Sequence, residues 1–328
     1  MQAPSFWYRP PSTPGLRARL LAPLGWVYAT ATARRLRTAD AFKADIPVIC
    51  IGNLNAGGTG KTPTTIALIE RLAARGAAVH VVSRGHGGRL SGPVRVDERR
   101  HSAADTGDEP LLLSAFAPTW VARDRAAGVQ AAQAAGAQVV LLDDGFQNPS
   151  VVKDLSIIVV DAQRGFGNGR CLPAGPLREP VTTGLGRADM LLSIGPPTAQ
   201  DQFAALWPVP LPHLQGQLEV LQMGMDWAGE KVLAFAGIGH PEKFFLTLRS
   251  TGADVLRTEA LSDHQAFSDT LLRRLEHEAT GLGAQLVTTE KDAVRLPAAF
   301  RPKVLTLPVR LRLHDWLGLD LAFERLGL

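Results

Sequence analysis

One stretch narrows the fold more than any other: Ile51-Gly-Asn-Leu-Asn-Ala-Gly-Gly-Thr-Gly-Lys-Thr62. An apolar run, Ile46–Ile51, leads into it. A helical pattern, Thr64–Arg75 closed by Gly76, follows it. A buried strand, a glycine-rich turn and Gly60-Lys61-Thr62 opening a helix form the arrangement of a Walker A phosphate loop. Glycines let backbone N–H groups converge on phosphate oxygens, and the helix N-terminus adds partial positive charge. Lys61 can reach β- and γ-phosphates, and the Thr62 hydroxyl can ligate Mg²⁺. Pro63 falls in the first helical turn, where its missing N–H costs little. The usual pattern has glycine where this chain has Asn55. Asparagine tolerates positive φ, so the loop is expected to form with Asn55 in that place. The expected nucleotide-binding set is Asn55, Ala56, Gly57, Gly58, Thr59, Gly60, Lys61 and Thr62.

The rest of the chain continues the rhythm. Val79–Val82, Val139–Leu142, Leu155–Val160 and Met190–Ile194 are nearly continuous apolar runs, as strands buried on both faces should be. Arg123–Ala135, closed by Gly136, reads as a helix between two of them. The Trp207–Pro212 stretch is proline-rich and reads as a linker. After it the alternation resumes with Val232–Ala236, Ala253–Arg257, Gln285–Thr288 and Val304–Leu307 as strands. Helices are expected near Pro241–Ser250 and Ser268–Thr280. The fold class is therefore α/β: a P-loop NTPase-type parallel sheet domain with a second, smaller α/β domain. The expected division is a basic amphipathic segment at 1–39, a P-loop kinase domain at 40–212 onto which 313–328 packs back, and a smaller domain at 213–312 closing over the site.

The N-terminal segment is unusual in charge. Arg9, Arg17, Arg19, Arg34, Arg35 and Arg37 precede the first acid, Asp40, and they surround aromatics and leucines. The longest apolar stretch, Leu20–Ala33, holds Pro23 and Gly25 and reads as too short and too broken to span a bilayer. It suits a helix lying in the headgroup layer, although an amphipathic helix packed on the protein has the same pattern. Lys and Arg (35) exceed Asp and Glu (31) by 4, a mild excess that fits an anionic substrate or membrane surface and is too weak to argue for nucleic acid. Cys50 and Cys171 are far apart with no zinc-type spacing, so neither a disulfide framework nor a structural zinc site is expected.

The chemistry beyond the loop lies in several short strings. Val139-Val-Leu-Leu-Asp-Asp144 is an apolar strand ending in two acids, the Walker B pattern, and supplies a carboxylate for Mg²⁺. A GTPase would carry an Asn/Thr-Lys-x-Asp motif; Thr289-Glu-Lys-Asp292 has the wrong spacing. A partitioning-type ATPase would carry a lysine early in its loop, where Ala56 stands. A small-molecule kinase needs an acid for the acceptor hydroxyl and cations for transition-state charge. Gly107-Asp-Glu-Pro110, Ser83-Arg-Gly-His-Gly-Gly-Arg89, Pro173-Ala-Gly-Pro-Leu-Arg-Glu179 and Asp263-His264 provide them. Each alone reads as a cap, a turn or a solvated charge; their co-occurrence below a phosphate loop favours a site.

This ordered set resembles the tetraacyldisaccharide 4′-kinase (lipid A 4′-kinase) family over nearly the whole chain. The residues that carry the resemblance are Gly52-Asn-Leu with Gly57–Pro63, Ser83-Arg-Gly, Gly107–Pro110, Asp143-Asp-Gly-Phe-Gln147, Leu172–Glu179, Asp263-His264 and Thr288–Asp292. The resemblance implies ATP-dependent phosphorylation of the 4′-hydroxyl of an acylated disaccharide 1-phosphate, giving lipid IVA in lipid A biosynthesis. It implies ATP and Mg²⁺ as cofactors and a peripheral location on the cytoplasmic face of the inner membrane. Lys61 and Thr62 would hold ATP phosphates and Mg²⁺. Asp108 would act as base with His264 as its partner. Glu109 and Asp144 would bind Mg²⁺ with support from Asp143, and Arg125 and Arg178 would neutralise phosphate charge. Asn148, His86 and Gln265 depart from the pattern, where His, Tyr and a second His are usual. A protonated His264 would lower the Asp108 pKa and burial would raise it. Read without the resemblance, the residues also admit a kinase or ATPase acting on a soluble sugar or cofactor, or a nucleotide-gated membrane-binding switch.

Overall fold

The computed structural model describes residues 3–37 and 40–328. Met1, Gln2, Thr38 and Ala39 of the expected N-terminal segment lie outside the described residues. In chain order the strands are β1 (Val48–Gly52), β2 (Val79–Ser83), β3 (Val94–Arg95), β4 (Thr119–Val121), β5 (Val139–Asp143), β6 (Leu155–Asp161), β7 (Met190–Ile194), β8 (His213–Val220), β9 (Lys231–Ala236), β10 (Asp254–Ala260), β11 (Gln285–Thr289), β12 (Val304–Leu307) and β13 (Val309–Leu313).

Among the described residues, one sheet has the order β13-β8-β7-β6-β1-β5-β2-β4-β3 and a second the order β10-β9-β11-β12. The central strands β1, β2, β5, β6 and β7 are buried at every residue. Their side chains meet helices on both faces, which is why they read as unbroken apolar runs. On one face Ile66, Leu68 and Leu72 of the helix Lys61–Ala74 share a core with Leu319 and Phe323 of the C-terminal helix. On the other, Val129 and Ala132 pack with Phe146, Phe166 and Phe203.

The edges of the large sheet are different. β13 runs antiparallel to β8, and β3 antiparallel to β4. His213–Val220, which the expected division at 212 gave to the smaller unit, pairs in parallel with β7 and extends the large sheet. It lies between β7 and β13, one strand in from the edge, yet its buried and part-exposed residues alternate at the start, so it lacks the continuous apolar run of the central strands. The chain leaves the large sheet after β8 and returns to it at β13, so this strand pair joins the two sheets. In the small sheet, which is parallel throughout, Phe244, Phe245 and Leu248 cover one face and Leu272, Leu275 and Ala279 the other.

β1 lies between β6 and β5, while its own crossover helix carries the chain past β5 to β2. The strand order reverses there, so the connections leaving the carboxyl ends of neighbouring strands depart in opposite directions, the arrangement that forms a ligand crevice in open α/β sheets. The phosphate loop, the Asp143-Asp144 pair and the loop after β2 all emerge at that edge.

The N-terminal helix runs unbroken from Leu16 to Arg37, 22 residues, with Pro23 inside it. The expected interruption at Pro23 and Gly25 is absent. A β-carbon at Gly25 would lie 2.9 Å from the Cys171 carbonyl, so the glycine serves close packing rather than a break. No helix among the described residues is long and apolar enough to cross a membrane. For this helix the obstacle is its arginines, not its length.

Candidate active site

Gly52 ends β1 against the Asp-Gly-Phe-Gln turn: a β-carbon there would sit 2.3 Å from Phe146 Cβ. Phe146 is fully buried, so neither side can give way easily. Gly52→Ala is expected to destabilise the fold by about 1–3 kcal/mol through overpacking, read as a lower midpoint in denaturant; an unchanged midpoint would show that the turn can shift.

Within the loop, positive φ occurs at Gly57 (117°) and Gly60 (97°), not at Asn55. The expectation that Asn55 replaces a positive-φ glycine is thus corrected. Asn55 is instead an anchor: its buried side chain donates to the Gly165 carbonyl at 3.0 Å, and its backbone pairs with Leu177. The Ala56 N–H donates to the Pro176 carbonyl at 2.7 Å. Asn55 and Ala56 therefore stitch the loop to the 172–179 segment. Asn53 braces the loop from inside, donating to the Gly57 carbonyl (3.2 Å) and the Thr59 hydroxyl (3.1 Å). Gly57 borders open space, and Gly58, Thr59, Gly60, Lys61 and Thr62 line a cavity of about 280 Å³. Glu109 and Lys291 share this wall, while Ile194, Phe244 and Leu307 line an apolar part between the two sheets.

Asp143 and Asp144 close β5 with different environments. Asp143 is buried, accepts from the Ser83 hydroxyl at 3.0 Å, and has a second oxygen, Oδ1, with no partner. Burial, with Glu109 and Asp144 nearby, pushes its pKa up to about 7. Asp144 takes φ 51° and receives Arg178 Nη1 at 3.0 and 3.2 Å. Lys61 Nζ stands 3.6 Å from it. Burial opposes its charge, but Lys61 and Arg178 outweigh that and hold its pKa at about 2. Arg178 also donates to Gln147, which in turn donates to the Asn53 carbonyl and to Glu179.

Arg125 has another place. It is 3% exposed, donates to the Ala122 carbonyl at 2.7 Å and lies 3.5 Å from the Asp143 carbonyl. Its charge lies beneath the acidic pair, with burial pulling its pKa down. Asn148 caps its own turn, with its side chain accepting from Ser150. His86 lies edge-on to His264 at 6.1 Å, and Gln265 accepts from the Ser262 N–H.

Asp108 and Glu109 open the short helix Asp108–Leu113, preceded by Gly107 at φ 87°. His264, from the segment after β10, comes within 2.9 Å of Asp108 Oδ2 through Nδ1. Burial would raise the Asp108 pKa, but the His264 bond, then Lys291 and Arg295, hold it below the ordinary carboxylate range. The same bond raises the His264 pKa. Lys291 Nζ donates to Glu109 at 2.9 Å. Burial disfavours the charged lysine, yet Glu109 and Asp108 keep its pKa above the usual value. No role for Lys291 follows from the sequence, where it is one charge in Thr288–Asp292, remote from Glu109. Sheet packing alone brings the two together.

The site thus gathers Lys61 and Arg178 around Asp144 beside the glycine-rich loop, with a carboxylate–imidazole pair, Asp108 and His264, nearby. Transfer of a phosphoryl group to a hydroxyl needs that combination, and it places the protein among the P-loop kinases. The family model described as tetraacyldisaccharide-1-P 4′-kinase matches residues 17–325, and the chain belongs to this family. It is 64% identical to the tetraacyldisaccharide 4′-kinase of Dinoroseobacter shibae, covering 99% of this chain and 98% of that one. The corresponding protein of a Jannaschia species is 60% identical, with 99% of each chain covered. The crystal structure of "apo" form LpxK from Aquifex aeolicus in complex with ATP superposes with a TM-score of 0.78 at 26% identity, covering 95% of this chain and 99% of that one.

Proposed function

We infer that the protein transfers the γ-phosphate of ATP to the 4′-hydroxyl of tetraacyldisaccharide 1-phosphate, giving lipid IVA in lipid A biosynthesis. The observation that carries this reading is the Asp108–His264 pair, 2.9 Å apart, set beside the Glu109 that lines the phosphate-loop cavity. The loop backbone and Lys61 bind the phosphates, and the apolar part of the cavity takes the base. Asp108 accepts the proton of the acceptor hydroxyl, and His264 orients the carboxylate. A carboxylate kept ionised is a weak base, which suffices because a loose phosphoryl transition state demands positioning more than early proton removal. Arg178 offsets charge at the phosphates. Arg125, deep under Asp143, supports the acidic pair from below.

Mg²⁺ fits these residues. No group of three or more His, Cys, Asp or Glu side chains among the described residues forms a metal cage. Mg²⁺ with ATP needs none, since it keeps waters and phosphate oxygens and takes only one or two protein carboxylates. Thr62, Asp144 and Glu109 would hold it, with the unpartnered Asp143 Oδ1 as a further acceptor. When bound, it neutralises charge on the transferred group.

The N-terminal helix supports a peripheral position on the cytoplasmic face of the inner membrane. Ala18, Gly25 and Thr32, seven residues apart, are its buried seam. Leu16, Leu20, Leu24 and Val27 fall on the opposite side and are 56–72% exposed. Arginines flank that apolar stripe, as a helix in the headgroup layer requires. Replacing Leu20, Leu24 and Trp26 together by glutamate is expected to weaken binding to phosphatidylethanolamine/phosphatidylglycerol vesicles at least about tenfold, since each buried side chain contributes about 1.5–3 kcal/mol. Unchanged flotation with vesicles would contradict the anchor.

The reaction is tested with an acceptor whose 4′-hydroxyl is replaced by hydrogen. ATP consumption should be strong with the natural acceptor and fall to background with the deoxy compound. Equal consumption with both would contradict the reading.

A further inference from the structure

We propose that Arg295 is the positioning residue of the Asp108–His264 pair: its guanidinium clamps the turn that carries His264 and fixes that ring against the carboxylate. The proposal rests on the reading above that this pair acts on the acceptor hydroxyl.

His264 has φ 56°, in the left-handed region that residues with side chains seldom occupy. Such a conformation persists where the surroundings over-determine it. Here one side chain supplies much of that constraint. Arg295 Nη1 donates to the Gln265 carbonyl at 2.7 Å, and Nη2 donates to the Gly237 carbonyl at 3.0 Å. The Gly237 carbonyl also accepts the His264 N–H at 3.1 Å. The guanidinium is thus bonded on both sides of the His264 peptide.

Arg295 is itself held from behind. Nη2 pairs with Asp292, which is fully buried and accepts from the Gly237 N–H (3.1 and 3.2 Å) and the Thr289 hydroxyl (2.7 Å). The Phe267 ring covers the guanidinium face at 5.0 Å. The remaining nitrogen, Nε, is buried without a hydrogen-bond partner and stands 3.8 Å from Asp108 Oδ2, the oxygen that His264 also contacts. One planar group therefore grips the histidine turn with one edge and faces the acid with another. A lysine would keep the charge and lose the fork.

The test uses the full chain with Arg295→Lys and Arg295→Gln, each alone and combined with His264→Ala. The readouts are kcat and the KM for ATP, with melting curves to confirm folding. Each Arg295 variant should lower kcat by roughly tenfold to hundredfold, as small misplacements of catalytic groups do. The KM for ATP should stay within about twofold. In the His264→Ala background the same substitutions should cost less than about twofold, because residues that act as a unit are not additive. An equal loss in both backgrounds would show that Arg295 serves the fold at large and would overturn the proposal. Wild-type kcat in either single variant would do the same. If Arg295→Gln does not fold, the charge-preserving Arg295→Lys decides by the same comparison. Full turnover in His264→Ala alone would sink the reading of the pair and the proposal with it. A loss in His264→Ala with none in the Arg295 variants would sink the proposal alone.

Discussion

Replacing Asp108 by alanine is expected to lower kcat by about 10²–10⁴-fold, the usual range for a positioned general base, with ATP affinity changed by less than about threefold. Asp108 is 4% exposed and makes its contacts toward His264 and the Glu109 N–H rather than along the wall that holds Lys61 and Thr62. Its carboxylate is kept ionised by neighbours, with a pKa below the ordinary range. In the proposed mechanism the proton reaches Asp108 late, when the hydroxyl oxygen is already bonding to phosphorus. Asp108→Asn keeps the size and one acceptor oxygen but cannot take that proton, so it should fall nearly as far. Single-turnover transfer and nucleotide titration on the same preparation separate the two effects. An ATP affinity loss as large as the kcat loss would place Asp108 in nucleotide binding instead.

Lys61→Ala should cost about 10²–10³-fold in turnover, as removal of one preorganised charge-stabilising donor does elsewhere. Lys61 begins the helix Lys61–Ala74 and its side chain is 10% exposed. Its ammonium sits 3.6 Å from Asp144; burial opposes the charge of Glu109, and Lys291, then Lys61, outweigh it and hold the Glu109 pKa below its ordinary value. In the variant, Asp144 keeps both contacts from Arg178 Nη1, so its carboxylate is not left without a cation and the fold should hold. What the proposed mechanism loses is the cation for the β- and γ-phosphates, where negative charge shifts during transfer. Steady-state rates and melting curves check this together. A rate within tenfold of wild type in a folded Lys61→Ala chain would mean that Arg178 and Lys291 suffice without it.

The parts of the site legible in the sequence are those whose signal is local. The phosphate loop is one strand, one turn and one helix start, all within 51–62, and Asp143-Asp144 ends a run of apolar residues. Their meaning survives without tertiary information because backbone geometry dictates it. Asn55 shows the limit of that logic. Its tolerance of positive φ is real, but its side chain is claimed by the Gly165 carbonyl, 110 residues away, and the φ demand falls on Gly57 and Gly60.

Charge partners across the sheets were less visible. Lys291 meets Glu109 because the short helix Glu290–Ala293 packs on Asp108–Leu113, and Arg295 meets the His264 turn because the segments after β9, β10 and β11 come together at one end of the small sheet. Arg125 lies within reach of the acids in sequence order, yet its side chain folds under β5 rather than over it. β8 and β13 escape a pattern search because this side of the sheet is only partly covered, so neither strand carries an unbroken buried run. The helix Leu16–Arg37 continues through Pro23, which removes one backbone donor without ending the helix, so a proline read as a break in the sequence is not one in the structure.

The most direct test of the central claim is transfer of label from γ-labelled ATP to detergent-dispersed tetraacyldisaccharide 1-phosphate, run beside Lys61→Ala. The expected result is labelled lipid bearing phosphate at the 4′ position with the wild-type chain, and label reduced at least about a hundredfold in the variant. Label appearing only as inorganic phosphate, with the lipid unlabelled and the protein folded, would contradict the assignment of a lipid kinase.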